Sequence, residues 1–155
     1  MREFPAVNSV EAAATPRIAV ILPCYNEAGA IVRTVEDFRR ALPSADIYVF
    51  DNNSSDGSRE LAAGAGALVR RLRQQGKGHV VRRMFADVDA DIYIMADGDA
   101  TYEAAAAPAM VAAMLDDNLD MVVGARRSEV EEAYRPGHRL GNWALTGLLK
   151  QLFGR

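Results

Sequence analysis

The chain has 155 residues, half of them hydrophobic and a quarter charged, enough for one domain with a packed core and too few for two. Its net charge of −3 argues against a general nucleic-acid binder, leaving only a local basic group at Arg70, Arg71, Arg73, Lys77, Arg82 and Arg83. The single Cys24 excludes an internal disulfide and fits a reducing compartment. No apolar run approaches the roughly 20 residues of a spanning helix, and residues 1–16 lack a signal-peptide core, so they read as a loose arm on a cytoplasmic protein.

Residues 17–22 form a short apolar run stopped by Pro23, the pattern of a strand buried on both faces. Ile31, Val32, Val35, Phe38 and Leu42 then follow helical spacing up to Pro43. Residues 46–50 predict a second strand, ending in the polar stretch 51–57, which carries a helix-start signal. A short helix is expected over 58–63, a third strand over 67–69 and a loop over 74–78. Val80, Val81, Met84, Phe85 and Val88 make one apolar helical face. Residues 92–95 read as a strand, 107–115 as a helix with Pro108 in its first turn, and 121–124 as a further strand. Strands alternating with helices, each strand an unbroken apolar run, predict a mostly parallel sheet with helices on both faces, a three-layer α/β/α, Rossmann-like fold. Ligands bind such sheets at the carboxyl ends of the strands, where every polar cluster of this chain falls.

The most informative of these clusters is Met95-Ala96-Asp97-Gly98-Asp99-Ala100. Two carboxylates one residue apart, directly after a strand, suit a hard divalent cation, Mg²⁺ or Mn²⁺, which takes oxygen ligands and keeps positions open for phosphates. The small Gly98 would let something bulky approach both. The plainer alternative is a surface turn, because Asp-Gly is a common turn dipeptide. Lys77, between two glycines, can bring its amine to a base or phosphate or stay a solvated lysine.

Four motifs in order, "VILPCYNE", "VFDNNSSDGS", "QGKGHVVRRM" and "MADGDATYE", resemble the donor-binding half of family 2 glycosyltransferases, inverting enzymes of the GT-A fold. The tail "MVVGARR" with "YRPGHRLGNWALTGLLKQLFG" narrows the resemblance to polyprenyl-phosphate glycosyltransferases such as dolichyl-phosphate mannosyltransferase, across roughly residues 17–153. It implies one GT-A domain over 17–155. Members of the family continue beyond the last helix, so the donor half is expected here and the acceptor side is expected to be incomplete.

The resemblance further implies a nucleotide-sugar site built from Pro23, Tyr25, Glu27, Asp51, Lys77 and Asp97. Glu27 would accept from ribose hydroxyls and Asp51 from a base N–H, since both are acceptor-only when ionised. Their plainer readings are a first-turn helix acid and a turn-forming Asp. Tyr25 would stack on the base or pack under the loop. Asp97 and Asp99 would hold the metal. Thr101 stands where the family often has a Gln ligand and would be a weaker one. Arg126 would meet phosphate or acceptor and joins Asp97 and Asp99 as the catalytic set. Arg135 and Arg139, with His138 between them, would take the acceptor phosphate or simply balance Glu129, Glu131 and Glu132. The apolar stripe Leu140, Ala144, Leu145, Leu148, Leu149 and Leu152, beside Trp143, reads as core packing or as peripheral contact with the inner face of a membrane.

The expected activity is metal-assisted transfer of a sugar from GDP-mannose or a UDP-sugar to a polyprenyl phosphate. Two alternatives remain. A sugar nucleotidyltransferase usually opens with a Gly-rich phosphate loop, which residues 23–27 are not. The other is a non-catalytic nucleotide-sugar-binding fragment.

Overall fold

A computed structural model describes residues 15–125. The chain divides into two compact units, Met1–Val122 and Val123–Arg155, and the sheet lies in the first. In chain order it contains β1 (Ile18–Cys24), α1 (Ile31–Ala41), β2 (Asp46–Asp51), α2 (Ser58–Gly64), β3 (Leu68–Arg71), α3 (Lys77–Asp87), β4 (Ile92–Met95) and α4 (Ala107–Asp116), with one 3-10 turn, Ala104–Ala106, leading into α4. No helix among the described residues is long and apolar enough to cross a membrane.

All strand pairs are parallel and the order is β3-β2-β1-β4. Period-two alternation divides β1 between two cores. Val20, Leu22 and Cys24 pack on one face with Ile31, Val35 and Phe38 of α1, Ala62 of α2 and Ala107 of α4. Ala19 and Ile21 pack on the other face with Val80 and Met84 of α3. This is the expected α/β/α sandwich. Ile21, Leu22 and Phe50 are fully buried, each contributing about 1.5–3 kcal/mol relative to exposure.

The order reverses between β1 and β4, the switch point at which the connections leaving β1 and β3 run through helices on opposite faces, α1 and α3, and leave a crevice. The far end of the same two strands is fastened by Arg17. Its backbone N–H donates to Asp91 Oδ2 at 2.8 Å and its guanidinium reaches Asp89 at 2.9 Å. Both carboxylates raise the Arg17 pKa, Asp89 most.

Three sequence expectations change. β1 does not stop at Pro23 but runs to Cys24, pairing Pro23 with Phe50. Pro23 lies past Ile21↔Met95, the last pair with β4, where the sheet tolerates a missing N–H. Lys77 is not in a loop: it is the first residue of α3. Residues 121–124 are not a strand. The run is apolar enough, but Met121 and Val123 are 75% and 74% exposed and no strand among the described residues pairs with it, and a segment without a ladder neighbour satisfies neither its backbone groups nor its side chains.

Candidate functional site

Four strand ends and the amino end of α3 surround a cavity of about 440 Å³ lined by Pro23, Tyr25, Glu27, Lys77, Asp97 and Asp99, with Cys24, Asn52, Gln75, Gly76 and Val80 completing the wall. Five of the six residues expected to hold a nucleotide-sugar are thus brought together. Asp51 is not. It is 1% exposed, does not line the cavity, and accepts the Ser54 N–H at 3.1 Å, the geometry of an Asp that organises its own turn.

The turn after β1 is held by the one after β2. Asn26 sits at φ 55, a conformation that Asn tolerates better than most residues. Its N–H donates to Ser54 Oγ at 2.9 Å and its side-chain oxygen accepts the Ser55 N–H at 2.9 Å. The N–H of Glu27 donates to Ser58 Oγ at 2.8 Å and that of Ala28 to Asp56 Oδ2 at 2.9 Å. The Ser58 hydroxyl first, then the Ala28 N–H, hold the Asp56 carboxyl below the usual range. The helix-start signal in this stretch is delivered by Asp56, which accepts the Ser58 N–H at 3.0 Å, and not by the N-cap residue, Gly57.

Asn52, passed over in the sequence, fixes the third wall. It is 7% exposed. Its amide donates to the carbonyl oxygens of Leu72 at 3.3 Å and Gln74 at 2.8 Å, and its oxygen accepts the Gly76 N–H at 2.9 Å. The segment leading into α3 therefore has its backbone groups matched from the end of β2. Its signal in the sequence is only a polar residue directly after a strand.

The acidic turn is the fourth wall. Gly98 does not open space for a ligand. It is buried, and a Cβ there would come within 3.1 Å of Ile31 Cδ1 and 3.4 Å of the Pro23 carbonyl oxygen, so its smallness lets the turn close on α1. Asp99 Oδ1 accepts from the Thr101 N–H at 3.0 Å and its hydroxyl at 2.7 Å, across Ala100 at φ 57, a left-handed conformation costing an alanine roughly 1–2 kcal/mol. Lys77 Nζ donates to Asp97 Oδ1 at 2.6 Å, and this bond is the main cause of a raised Lys77 pKa. Burial first, then the negative charges of Asp99, Asp56 and Asp97, push the Glu27 carboxyl upward. Burial likewise pushes the Cys24 thiol up to about 11, leaving it protonated and unreactive at neutral pH.

No group of three His, Cys, Asp or Glu side chains among the described residues can hold a metal ion. Asp97 and Asp99 nevertheless fit a hard divalent cation: two carboxylates on one cavity wall, with the remaining positions free for water and phosphate, are the donor set such ions accept. Thr101, expected as a third ligand, directs its hydroxyl to Asp99. Arg126, Arg135, His138 and Arg139 and the apolar stripe 140–152 lie outside the described residues, as does nearly all of the arm 1–16.

The model of one protein family, Glycosyl transferase family 2, matches residues 19–153. The chain is 54% identical to Protein RfbJ of Shigella flexneri over 79% of its own length and 95% of that protein's. It is 29% identical to a dolichyl-phosphate hexose transferase of Haloferax volcanii over 88% of its length, spanning 60% of the relative. Among solved structures, glucosyl-3-phosphoglycerate synthase of Mycobacterium tuberculosis, crystallised with Mn²⁺, UDP-glucose and phosphoglyceric acid, superposes with a TM-score of 0.59 at 25% identity, over 74% of this chain and 45% of the synthase.

Proposed function

Because this chain belongs to glycosyl transferase family 2, we propose that its cavity takes a nucleotide-sugar and that the protein passes the sugar, with inversion, to a polyprenyl phosphate at the inner face of a membrane. The observation that carries the reading is the convergence of Glu27, Lys77, Asp97 and Asp99 on one crevice at the switch point of the sheet. A relative that uses a dolichyl-phosphate acceptor and a fold neighbour holding UDP-glucose with Mn²⁺ support the donor and acceptor classes.

Each residue has a chemically defined task. Asp97 and Asp99 would hold Mg²⁺ or Mn²⁺, and the ion would neutralise charge on the departing nucleoside diphosphate. Lys77 stands at the amino end of α3, where the helix dipole and the ammonium both favour phosphate oxygens. Glu27 faces the crevice as an acceptor for sugar or ribose hydroxyls, and Tyr25, 51% exposed, offers a ring for a base. The acceptor phosphate is already anionic at neutral pH, so attack on the sugar needs no strong general base. Arg126, Arg135 and Arg139 would hold that phosphate.

Calorimetry of GDP, UDP and dTDP with Mn²⁺ or EDTA tests the donor site, and transfer of radiolabelled sugar to a polyprenyl phosphate tests the reaction. Tight diphosphate binding that requires the ion, with one base preferred, is expected. Equal affinity in EDTA overturns the metal role, and transfer to water alone overturns the acceptor.

A further inference from the structure

Asp97 has two claims on its one carboxylate. Its Oδ1 receives the Lys77 ammonium at 2.6 Å, with the lysine side chain 66% and the aspartate side chain 33% exposed. A divalent cation such as Mg²⁺ on that carboxylate would sit at about 2.0–2.1 Å, and a second positive charge against the same carboxylate would repel it.

We propose that Lys77 is an exchangeable counter-ion for Asp97: it occupies the carboxylate when no ion is bound, leaves it when the cation enters, and then pairs with the diphosphate that arrives with that cation. The inference rests on the metal reading of Asp97 and adds an order of events to it. The backbone cannot make the move. The residue before Lys77 is tied by its N–H to Asn52 Oδ1 at 2.9 Å, and Lys77 opens the first turn of α3. The four-carbon stem can, because its ammonium is a compact charge on a flexible arm. The destination is close: Gly76, Lys77 and both aspartates line one cavity.

The exchange has a thermodynamic signature. Cation binding alone must break the Lys77–Asp97 pair with no return, whereas cation and diphosphate together give the freed ammonium a new partner. The two ligands therefore bind synergistically, and the coupling is reciprocal.

The test measures free Mn²⁺ by electron paramagnetic resonance during titration of the full chain, with and without inorganic pyrophosphate, for the wild type, Lys77→Met and Lys77→Arg. Lys77→Met should bind Mn²⁺ alone about five- to tenfold more tightly than the wild type and lose most of the pyrophosphate enhancement. Lys77→Arg retains a cation at the position and should follow the wild type, which separates charge from packing. Equal Mn²⁺ affinity in the wild type and Lys77→Met, or tightening by Lys77→Arg as well, overturns the exchange while leaving the metal site standing. Absence of Mn²⁺ binding in all three proteins, with and without pyrophosphate, overturns the metal reading and the exchange with it.

Discussion

The hydroxyl of Thr34, on the buried face of α1, shares its one proton between the carbonyl oxygens of Gly98 and Ala30, each at 3.2 Å, and so links the acidic turn to the helix behind it. Thr34→Val preserves the shape and leaves the Gly98 carbonyl without this shared donor, at a cost of about 1 kcal/mol. Urea unfolding should show the loss, and Mn²⁺-dependent pyrophosphate affinity should fall as well because the turn carrying Asp97 and Asp99 loses its anchor. A variant as stable as the wild type would remove Thr34 from this role.

Gly98→Ala should destabilise by about 1–3 kcal/mol through overpacking, since the added methyl meets Ile31 Cδ1 at 3.1 Å. Ile31→Val removes that carbon. Alone it costs about 0.5–1.5 kcal/mol, but in the Gly98→Ala background it should restore part of the loss. A double-mutant cycle reads the coupling, and strictly additive losses would contradict the steric account.

Asp99→Asn keeps an oxygen to accept the two bonds from Thr101, so the thermal midpoint should stay near the wild-type value. The ion-dependent part of nucleoside diphosphate affinity should drop by about tenfold or more, roughly 1.4 kcal/mol. Calorimetry with Mn²⁺ decides it. A fall in stability with unchanged ion dependence would make Asp99 a turn former only.

Glu27 adds a pH dependence opposite in sign to that of Asp56, whose carboxyl is held below the usual range. The folded-state pKa of Glu27 is raised above the ordinary 4.5, by burial and then by Asp99, Asp56 and Asp97. The folded protein therefore holds the proton more tightly than the unfolded chain. This contribution is complete below the ordinary value and is lost as pH rises through the folded one. Glu27→Gln should accordingly raise the melting temperature more at about pH 7 than at about pH 4, and Mn²⁺ should narrow the difference by offsetting the same repulsion. Equal gains at both pH values would contradict it.

Asn52→Ala removes three hydrogen bonds from the segment that enters α3. Leaving those backbone groups partly unmatched should cost about 1–3 kcal/mol, and hydrogen exchange should quicken over residues 72–76. Unchanged protection there would mean that the segment is held by other means.

The strands at the centre of the sheet were readable because β1 and β2 are unbroken apolar runs. The α1 helix was readable because Ile31, Val35 and Phe38 recur at helical spacing and bury one face. Residues 121–124 give the same apolar signal without becoming a strand: a run of valines reports what a segment can bury, not whether a neighbour is there to pair with it. Around the cavity, the sequence placed the right loops at the strand ends but not the direction of individual side chains. Asp51 closes β2 and Glu27 follows β1, both acids at a strand end, yet one turns inward to Ser54 and the other faces the crevice. Gly98 looked like room for a ligand because its neighbour across space, Ile31, is 67 positions earlier (98 − 31). Such packing across distant segments leaves no local trace.

The ladder between β1 and β4 joins residues that the chain keeps far apart, as the Arg17–Asp91 bond at a separation of 74 positions illustrates. Closing so long an excursion is entropically slower than joining β1 to β2 through a single helix. The two halves of the crevice therefore differ in the sequence distance they bridge: the Glu27 side is tied to Ser54, Asp56 and Ser58 about 30 positions on, whereas the aspartates reach it through the β1–β4 ladder. Any ligand bridging both sides acts as a clasp across that long excursion, and stabilises the β1–β4 seam by mass action.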